Sequence, residues 1–150
     1  MSQKFLSGCV LAASMLVCNV AIPHCEVPCG VYGDQRRFET MLEDTETIAK
    51  ACAQIIELSE KKDALSANQL ARWVATKETH ATSVQHIISQ YFMTQRIKAD
   101  ADGYVKKLTA AHAVMVAAMK TKQGVDAELA QKLEKSIKAF YEAYEGKKAK

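Results

Sequence analysis

The chain has 150 residues, of which 49% are hydrophobic and 25% are charged, and its formal net charge at pH 7 is +3. This length suits a single domain with a sizeable core. Lys4 is the only charged side chain in residues 1–23, so the rest of the chain carries a balance of only +2. No block of basic residues is interleaved with aromatic side chains, which argues against a nucleic-acid-binding protein.

Residues 1–23 have the pattern of a leader that is removed. Lys4 precedes an apolar stretch from Phe5 to Val20, which is too short and too interrupted for a transmembrane helix. A basic start, an apolar middle and small residues such as Ala21 near the end are typical of a secretory signal peptide. The leader predicts export to the periplasm or the extracellular space, without a stable membrane anchor after processing. A cytoplasmic protein with a removed propeptide is the alternative.

The segment after the leader concentrates metal-binding side chains in the run His24-Cys25-Glu26-Val27-Pro28-Cys29-Gly30-Val31-Tyr32. Pro28 fixes its own φ and restricts the residue before it, so the segment forms a turn or a hook and not a helix. Cleavage between Pro23 and His24 would add a free α-amine to this set. Thiolates suit soft or borderline ions, and a planar set of nitrogen and sulfur donors suits Ni(II) or Cu(II) better than tetrahedral Zn.

Two other interpretations of the thiols follow from their spacing. Cys25 and Cys29 could form a disulfide, because exported proteins commonly contain one. A structural zinc site usually needs four side-chain ligands, and only three are grouped here. The imidazole of His24 and the rest of the run favour metal binding over both alternatives.

The run resembles the nickel hook of the nickel-containing superoxide dismutases, whose mature chains start with His-Cys-x-x-Pro-Cys-Gly-x-Tyr. Every specified position matches: His24, Cys25, Pro28, Cys29, Gly30 and Tyr32. The rest of the mature chain resembles the family more loosely, as four helices of suitable length. The resemblance implies an enzyme that disproportionates superoxide to dioxygen and hydrogen peroxide at a Ni(II)/Ni(III) centre. A non-enzymatic helical bundle that binds or senses nickel or copper is the alternative, and an exported helical protein with only a disulfide loop is a second one.

The resemblance also implies a set of nickel ligands. The His24 amine, the Cys25 amide nitrogen and the sulfurs of Cys25 and Cys29 would surround the nickel ion in a plane. The His24 imidazole would be the axial ligand of the oxidised metal, and Tyr32 would stand over the open face. His24 and Tyr32 are therefore the expected catalytic residues.

Further residues are expected to act around these ligands. The resemblance suggests that Glu39 orients the His24 ring, although the family commonly has one more residue before this glutamate; a charge that stabilises a helix N-terminus is the alternative. Tyr91 is similar to the family's second tyrosine near nickel, or is a plain core aromatic. His80 falls where some family members place an arginine, and a solvated or core histidine is expected there. Basic side chains near the hook, such as Arg36 and Arg37, could raise the local concentration of the superoxide anion.

Processing and assembly are expected from the same segment and family. Ile22-Pro23 is a poor small-residue cleavage site. Either a second step trims the chain to His24 after signal peptidase, or a dedicated leader-processing protease makes one cut. The family resemblance implies a homohexamer of four-helix bundles.

The rest of the chain predicts helices. Gly33-Asp34 predicts a turn and a helix cap, and Ser66 with Gln69 predicts a capping box at the start of the second helix. A polar break follows at residues 98–103, and Gly124 and Gly146 end the third and fourth helices. Apolar residues at three- and four-residue steps form the four stripes, which run over residues 35–58, 70–92, 105–119 and 125–144.

These stripes predict an all-α protein, because no stretch shows the period-two alternation of a strand. Four amphipathic helices with short links favour an up-down-up-down four-helix bundle with an N-terminal metal-binding hook. The expected division is a removed leader (1–23), a nickel hook (24–33) and the bundle (34–150). Cys52 lies on the first apolar stripe and is expected to be a core residue. The second stripe is interrupted near Lys77 and His80.

Overall fold

The computed structural model describes residues 33–147, which form four α-helices, a π-helical continuation of the second, and no strand. The elements in chain order are α1 (Gln35–Ser59), α2 (Ala64–His86), the π segment (Ile87–Arg96), α3 (Tyr104–Gln123) and α4 (Ala127–Glu145). The predicted all-α class is confirmed. The π segment was not expected from the sequence.

Each helix of the bundle packs against two others. Helix α1 lies against α2 and α4, and α3 lies against the same two helices. Because short connections join consecutive helices, the four run up, down, up and down, which confirms the predicted bundle. At one end, called here the hook end, α1 and α3 begin while the π segment and α4 finish. The opposite end is called the far end.

The core is rich in aromatic side chains towards the hook end. The side chains of Phe38, Phe92 and Phe140 are at most 2% exposed. Their ring centroids are 4.8 Å (Phe38–Phe92), 4.9 Å (Phe92–Phe140) and 5.3 Å (Phe38–Phe140) apart, distances at which tilted and edge-to-face rings attract. Cys52 is a free thiol and only 1% exposed, as expected for a core residue. Burial raises the pKa of this thiol, so it stays protonated.

The start of α2 differs from the prediction. The N-cap is Asp63, whose Oδ1 accepts the Ser66 backbone N–H at 2.9 Å and whose Oδ2 accepts the Ser66 hydroxyl at 2.6 Å. The prediction that Ser66 caps the helix is therefore wrong by three residues. A carboxylate caps a helix as well as a hydroxyl does, and one was available a turn earlier. The Ser66 hydrogen bonds also lower the pKa of Asp63, which keeps the cap ionised.

Lys77 interrupts the apolar stripe of α2 but is only 4% exposed. Its ammonium donates to the backbone carbonyls of Thr121 at 2.7 Å, Lys122 at 2.8 Å and Gly124 at 3.0 Å. The last carbonyls of a helix have no partner within the helix. Lys77 therefore completes the C-terminus of α3 and joins α2 to it, with its positive charge at the negative end of the helix dipole.

Candidate metal centre

The predicted ligands His24, Cys25 and Cys29, together with Tyr32, lie outside the described residues. The structure describes the point at which their segment joins the bundle, Gly33-Asp34. Gly33 has a φ of 75°, in the left-handed region that strains residues with a side chain. This glycine forms a turn immediately before α1, as the sequence predicted.

Asp34 occupies the N-cap position of α1 but does not cap the helix with its side chain. Its backbone is helical, with φ −72° and ψ −25°, and its carboxylate makes no bond to the amides of the first turn. Only its backbone carbonyl contributes, accepting the Arg37 N–H at 3.0 Å. An aspartate at this position ordinarily accepts an N–H from the first turn. The cap position was therefore predicted correctly, while the use of the side chain was not.

The Asp34 carboxylate instead accepts three donors from other parts of the bundle. The Tyr91 hydroxyl donates to Oδ1 at 2.5 Å, and the Tyr144 hydroxyl donates to Oδ2 at 2.5 Å. The Arg96 guanidinium lies 2.9 Å from Oδ1 through Nη2, and the same nitrogen donates to the Tyr91 hydroxyl at 3.0 Å. These four residues are called here the Asp34 cluster. The cluster joins the start of α1 to the π segment and to α4. These contacts are strong, because hydrogen bonds to an ionised acceptor are stronger than neutral ones.

The protonation states in the Asp34 cluster follow from these contacts. Burial disfavours the charged Asp34 carboxylate, but the hydrogen bonds from Tyr144 and Tyr91 and the charge of Arg96 outweigh it, so the pKa of Asp34 is lowered. Burial, followed by the bond to Asp34, raises the pKa of Tyr144 and that of Tyr91. At neutral pH the cluster is therefore one carboxylate, one guanidinium and two protonated phenols.

The π segment brings two members of the cluster onto one face. In a π-helix the backbone bonds run over five residues, so side chains five apart come close together. Arg96 donates to Tyr91 across this spacing, and the Thr94 hydroxyl donates to the Ser89 carbonyl across the same spacing at 2.7 Å. In a regular α-helix, residues three or four apart are the neighbours. The π geometry thus aligns Tyr91 and Arg96 towards Asp34.

A second arginine, Arg37, also contacts the ring of Tyr91. The Arg37 guanidinium is 4.8 Å from the centroid of the Tyr91 ring, and the Arg96 guanidinium is 5.2 Å from it. Both distances fall within the range of cation–π attraction. The charges of Asp34 and Arg96 offset each other, so Arg37 leaves a net positive charge close to the start of α1.

Within residues 33–147, no three His, Cys, Asp or Glu side chains are grouped so that they could hold a metal ion. The sequence model of the nickel-containing superoxide dismutases matches residues 19–148, which include the whole run from His24 to Tyr32. The chain belongs to this family. It is a nickel-dependent oxidoreductase that disproportionates superoxide, and the expected function and cofactor are confirmed. Searches of curated proteins and of solved structures gave no match to the chain.

The structure places two of the dismutase's predicted site residues in different surroundings. Tyr91 is 1% exposed and donates to Asp34, the residue that lies two positions after Tyr32 in the sequence. The Glu39 side chain is about half exposed on α1 and pairs with Arg36 at 3.4 Å. The structure does not bring Glu39 to Tyr91 through any described contact. The roles of Tyr91 and Glu39 beside the metal stay predictions.

His80 of the dismutase forms a pair that the sequence did not reveal. Its Nδ1 lies 2.6 Å from Oδ1 of Asp44, a carboxylate that is 6% exposed in α1. The other carboxylate oxygen of Asp44 is buried and has no hydrogen-bond partner among the described residues. His80 therefore joins α2 to α1, in agreement with a structural histidine at this position.

Asp34, Arg96 and Tyr144 are residues of the dismutase that sequence reasoning missed. Asp34 was assigned only as a cap, and Tyr144 only as the last apolar residue of the fourth stripe. An acidic residue two positions after the metal-binding run was the available signal, but the two tyrosines that donate to it lie 57 and 110 residues away. Within the described part of the chain, no helix is long and apolar enough to span a membrane.

Proposed function

We propose that the dismutase holds its nickel ion through His24, Cys25 and Cys29 after the leader is removed, and that Tyr32 acts beside it. The donor set suits the metal, because imidazole nitrogen and thiolate sulfur are both good ligands for nickel. Bound nickel supplies the one-electron redox chemistry that converts superoxide to dioxygen and hydrogen peroxide. The observation that carries the assignment is the complete match of the hook motif within a chain that belongs to the family.

The residues around the start of α1 would attract the substrate. Superoxide is an anion, and Arg37 and Arg96 flank the Tyr91 ring while the charge of Asp34 is offset by Arg96. Arg36 adds an exposed positive side chain on the same turn of α1, partly paired with Glu39. Such an excess of positive charge would favour the encounter with an anion at low salt. The rate should therefore fall as ionic strength rises.

The two phenols of the Asp34 cluster would serve as hydrogen-bond donors and not as bases. Their pKa values are raised by burial and by the adjacent carboxylate, so Tyr91 and Tyr144 keep their protons at neutral pH. Their role is to hold Asp34. The reacting groups are therefore expected in residues 24–32.

The test compares Cys25→Ser and Cys29→Ser with the unmodified protein that starts at His24. A hydroxyl is a hard, weakly acidic donor and cannot replace a thiolate, so each variant should lose both nickel and activity. Cys52→Ser is the matched control, because the Cys52 thiol is buried in α1 and free. Metal analysis and a superoxide assay give the readout. Either hook variant with one nickel per chain and normal activity would refute the ligand assignment.

The same experiment separates the rival functions. Protein that binds nickel without removing superoxide would be the non-enzymatic binding or sensing bundle. Protein that binds no nickel and contains a Cys25–Cys29 disulfide under native conditions would be the exported bundle with a disulfide loop. Nickel retention with rapid loss of superoxide supports the proposal.

We further propose that residues 1–23 are a signal-like leader, that a processing protease frees His24, and that the mature enzyme is exported. The support is the pattern of Lys4, an apolar stretch and the hook motif directly after Pro23. Sequencing the N-terminus of protein from cell fractions tests this. A His24 terminus found only in the cytoplasm would favour the removed propeptide over export.

A homohexamer is proposed for the assembly, on the family resemblance. Large hydrophobic side chains that are exposed on the described residues offer contact surface, including Leu65 at 69% and Val105 at 72%. Light scattering during size-exclusion chromatography measures the mass directly. A monomer at micromolar concentration would refute the hexamer.

A further inference from the structure

Asp34 lies between the metal-binding run and the first helix of the bundle along the chain. Asp34 is separated from Tyr32, the last residue of the hook motif, only by Gly33. Its own backbone begins α1, and its carboxylate receives donors from the π segment and from α4. One residue therefore links the end of the hook to three elements of the hook end.

The Asp34 side chain takes part in the cluster and does not cap α1. An N-cap aspartate ordinarily accepts an N–H of the first helical turn, and the Asp34 carboxylate forgoes this bond. In exchange, each of its oxygens accepts a phenol at 2.5 Å, and Oδ1 also faces Arg96 at 2.9 Å. The side chain is 19% exposed, so these bonds are largely shielded from water. A carboxylate with both oxygens bonded in this way is held in place and restrains the main chain that carries it.

We propose that Asp34 is a positioning residue of the nickel centre, which fixes the root of the hook on the bundle through Tyr91, Arg96 and Tyr144. This inference rests on the proposed ligands His24, Cys25 and Cys29. Ordering a short metal-binding segment costs conformational entropy, and a fixed root reduces the freedom that nickel binding must remove. Residues that orient ligands typically change metal affinity by about 10- to 100-fold when they are removed.

The positioning role predicts a specific pattern of variants. Asp34→Asn removes the charge that the three donors share, and Tyr144→Phe removes one donor while its ring remains in the aromatic core. Tyr141→Phe is the matched control for the latter, since Tyr141 lies one turn earlier on α4 and its ring contacts Phe38 at 5.0 Å. No hydrogen bond of the Tyr141 hydroxyl is present among the described residues. Asp63→Ala is the stability control, because it removes the N-cap of α2 at the far end.

Two measurements test the proposal, and one of them needs no nickel. The first is the rate at which nickel leaves the loaded protein in excess chelator, together with the electron paramagnetic resonance spectrum of the bound nickel. The second is amide hydrogen exchange of residues 24–33 in the metal-free protein, with amides of α2 as the internal reference. Thermal unfolding of each variant reports the general loss of stability.

We expect Asp34→Asn to release nickel about 10- to 100-fold faster, with an altered spectrum and faster exchange in residues 24–33. Tyr144→Phe should change the same quantities in the same direction by less, and it remains informative if Asp34→Asn does not fold. Tyr141→Phe should behave like the unmodified protein. Asp63→Ala should lower the unfolding temperature without changing nickel release.

The contrary outcomes are distinct. If both cluster variants unfold at lower temperature but keep the release rate, the spectrum and the exchange of residues 24–33, Asp34 stabilises the bundle only and the positioning role is wrong. If Asp63→Ala accelerates nickel release equally, general stability and not position controls the site. If the unmodified protein binds no nickel, the proposed ligands fail, while hydrogen exchange still decides whether Asp34 fixes the root.

Discussion

Lys77→Met is expected to lower the free energy of unfolding of the bundle substantially, because it removes a buried contact at the far end. The Lys77 side chain is 4% exposed, and its ammonium donates to three carbonyls at 2.7, 2.8 and 3.0 Å. The Glu78 carboxylate lies 3.7 Å from the ammonium. Methionine fills a similar volume but donates no hydrogen bond. The Thr121 carbonyl would be left buried without a partner, and the end of α3 would lose its link to α2.

The size of the effect follows from opposing contributions. A hydrogen bond with a charged partner contributes about 1.5–3 kcal/mol, and a buried carbonyl left unsatisfied costs about 1–3 kcal/mol. Two of the three acceptors are only partly buried, so water can replace the ammonium there, and the variant no longer has to bury a charge. We therefore expect a net loss of about 2–4 kcal/mol. For a chain of this length that corresponds to a fall of about 5–15 °C in Tm.

Urea unfolding of the metal-free protein, followed by circular dichroism, measures this loss. Lys132→Met is the matched control, because Lys132 makes only an exposed ion pair with Glu128 at 3.1 Å, which contributes little. Nickel content should be unchanged in both variants, since Lys77 lies away from the hook end. A Lys77→Met protein as stable as the Lys132→Met control would show that water, and not Lys77, satisfies the end of α3.

Four further predictions concern the centre and its surroundings. His24→Ala, processed to the correct terminus, should keep nickel but lose most of its activity. Glu39→Ala should lose less activity, with a rate reduced by about 10- to 100-fold. An undiminished rate in His24→Ala with full nickel would show that the imidazole takes no part in the reaction. Protein with an uncleavable leader should be as helical as the mature form but inactive, because the nitrogen of His24 is then an amide; equal activity would exclude the terminal amine as a ligand. The pKa of Asp34 is lowered by folding, so its contribution to stability should be present above its ordinary value of 3.8 and be lost as pH falls through the folded value; Asp34→Asn should flatten that part of the urea-stability profile. Tyr91 and Tyr144 have raised pKa values, so their contribution should be present below 10.0 and be lost as pH rises through the folded values.

The helices could be predicted, and the metal-binding run recognised, because their signals are local. Apolar steps of three and four residues gave four stripes close to the observed helices, and the hook motif is contiguous. The bundle follows from four such stripes and short links. Cys52 was assigned to the core from its place in the stripe, and its 1% exposure agrees.

The features that could not be predicted from the sequence depend on contacts between residues that are distant along the chain. The interruption at Lys77 is a buried ion whose partners lie 44 to 47 residues away. The π segment lies in a stretch whose apolar spacing resembles that of an ordinary helix, so its wider turn leaves no local signature. The hydroxyl of Ser66 and the amide of Gln69, three residues apart, predict a cap at Ser66, but the charged carboxylate of Asp63 is the stronger acceptor at the same end.

The bond between Tyr144 and Asp34 has a consequence for the order of events during biosynthesis. The two residues are 110 positions apart, and Tyr144 lies in the final turns of the last helix. A ribosome releases the hook first and α4 last, so the root of the hook stays without one of its three donors until almost the whole chain has been made. Acquisition of nickel should therefore follow completion of the chain and not accompany its synthesis. If the leader directs export, the enzyme would meet its metal on the side of the membrane where α4 docks.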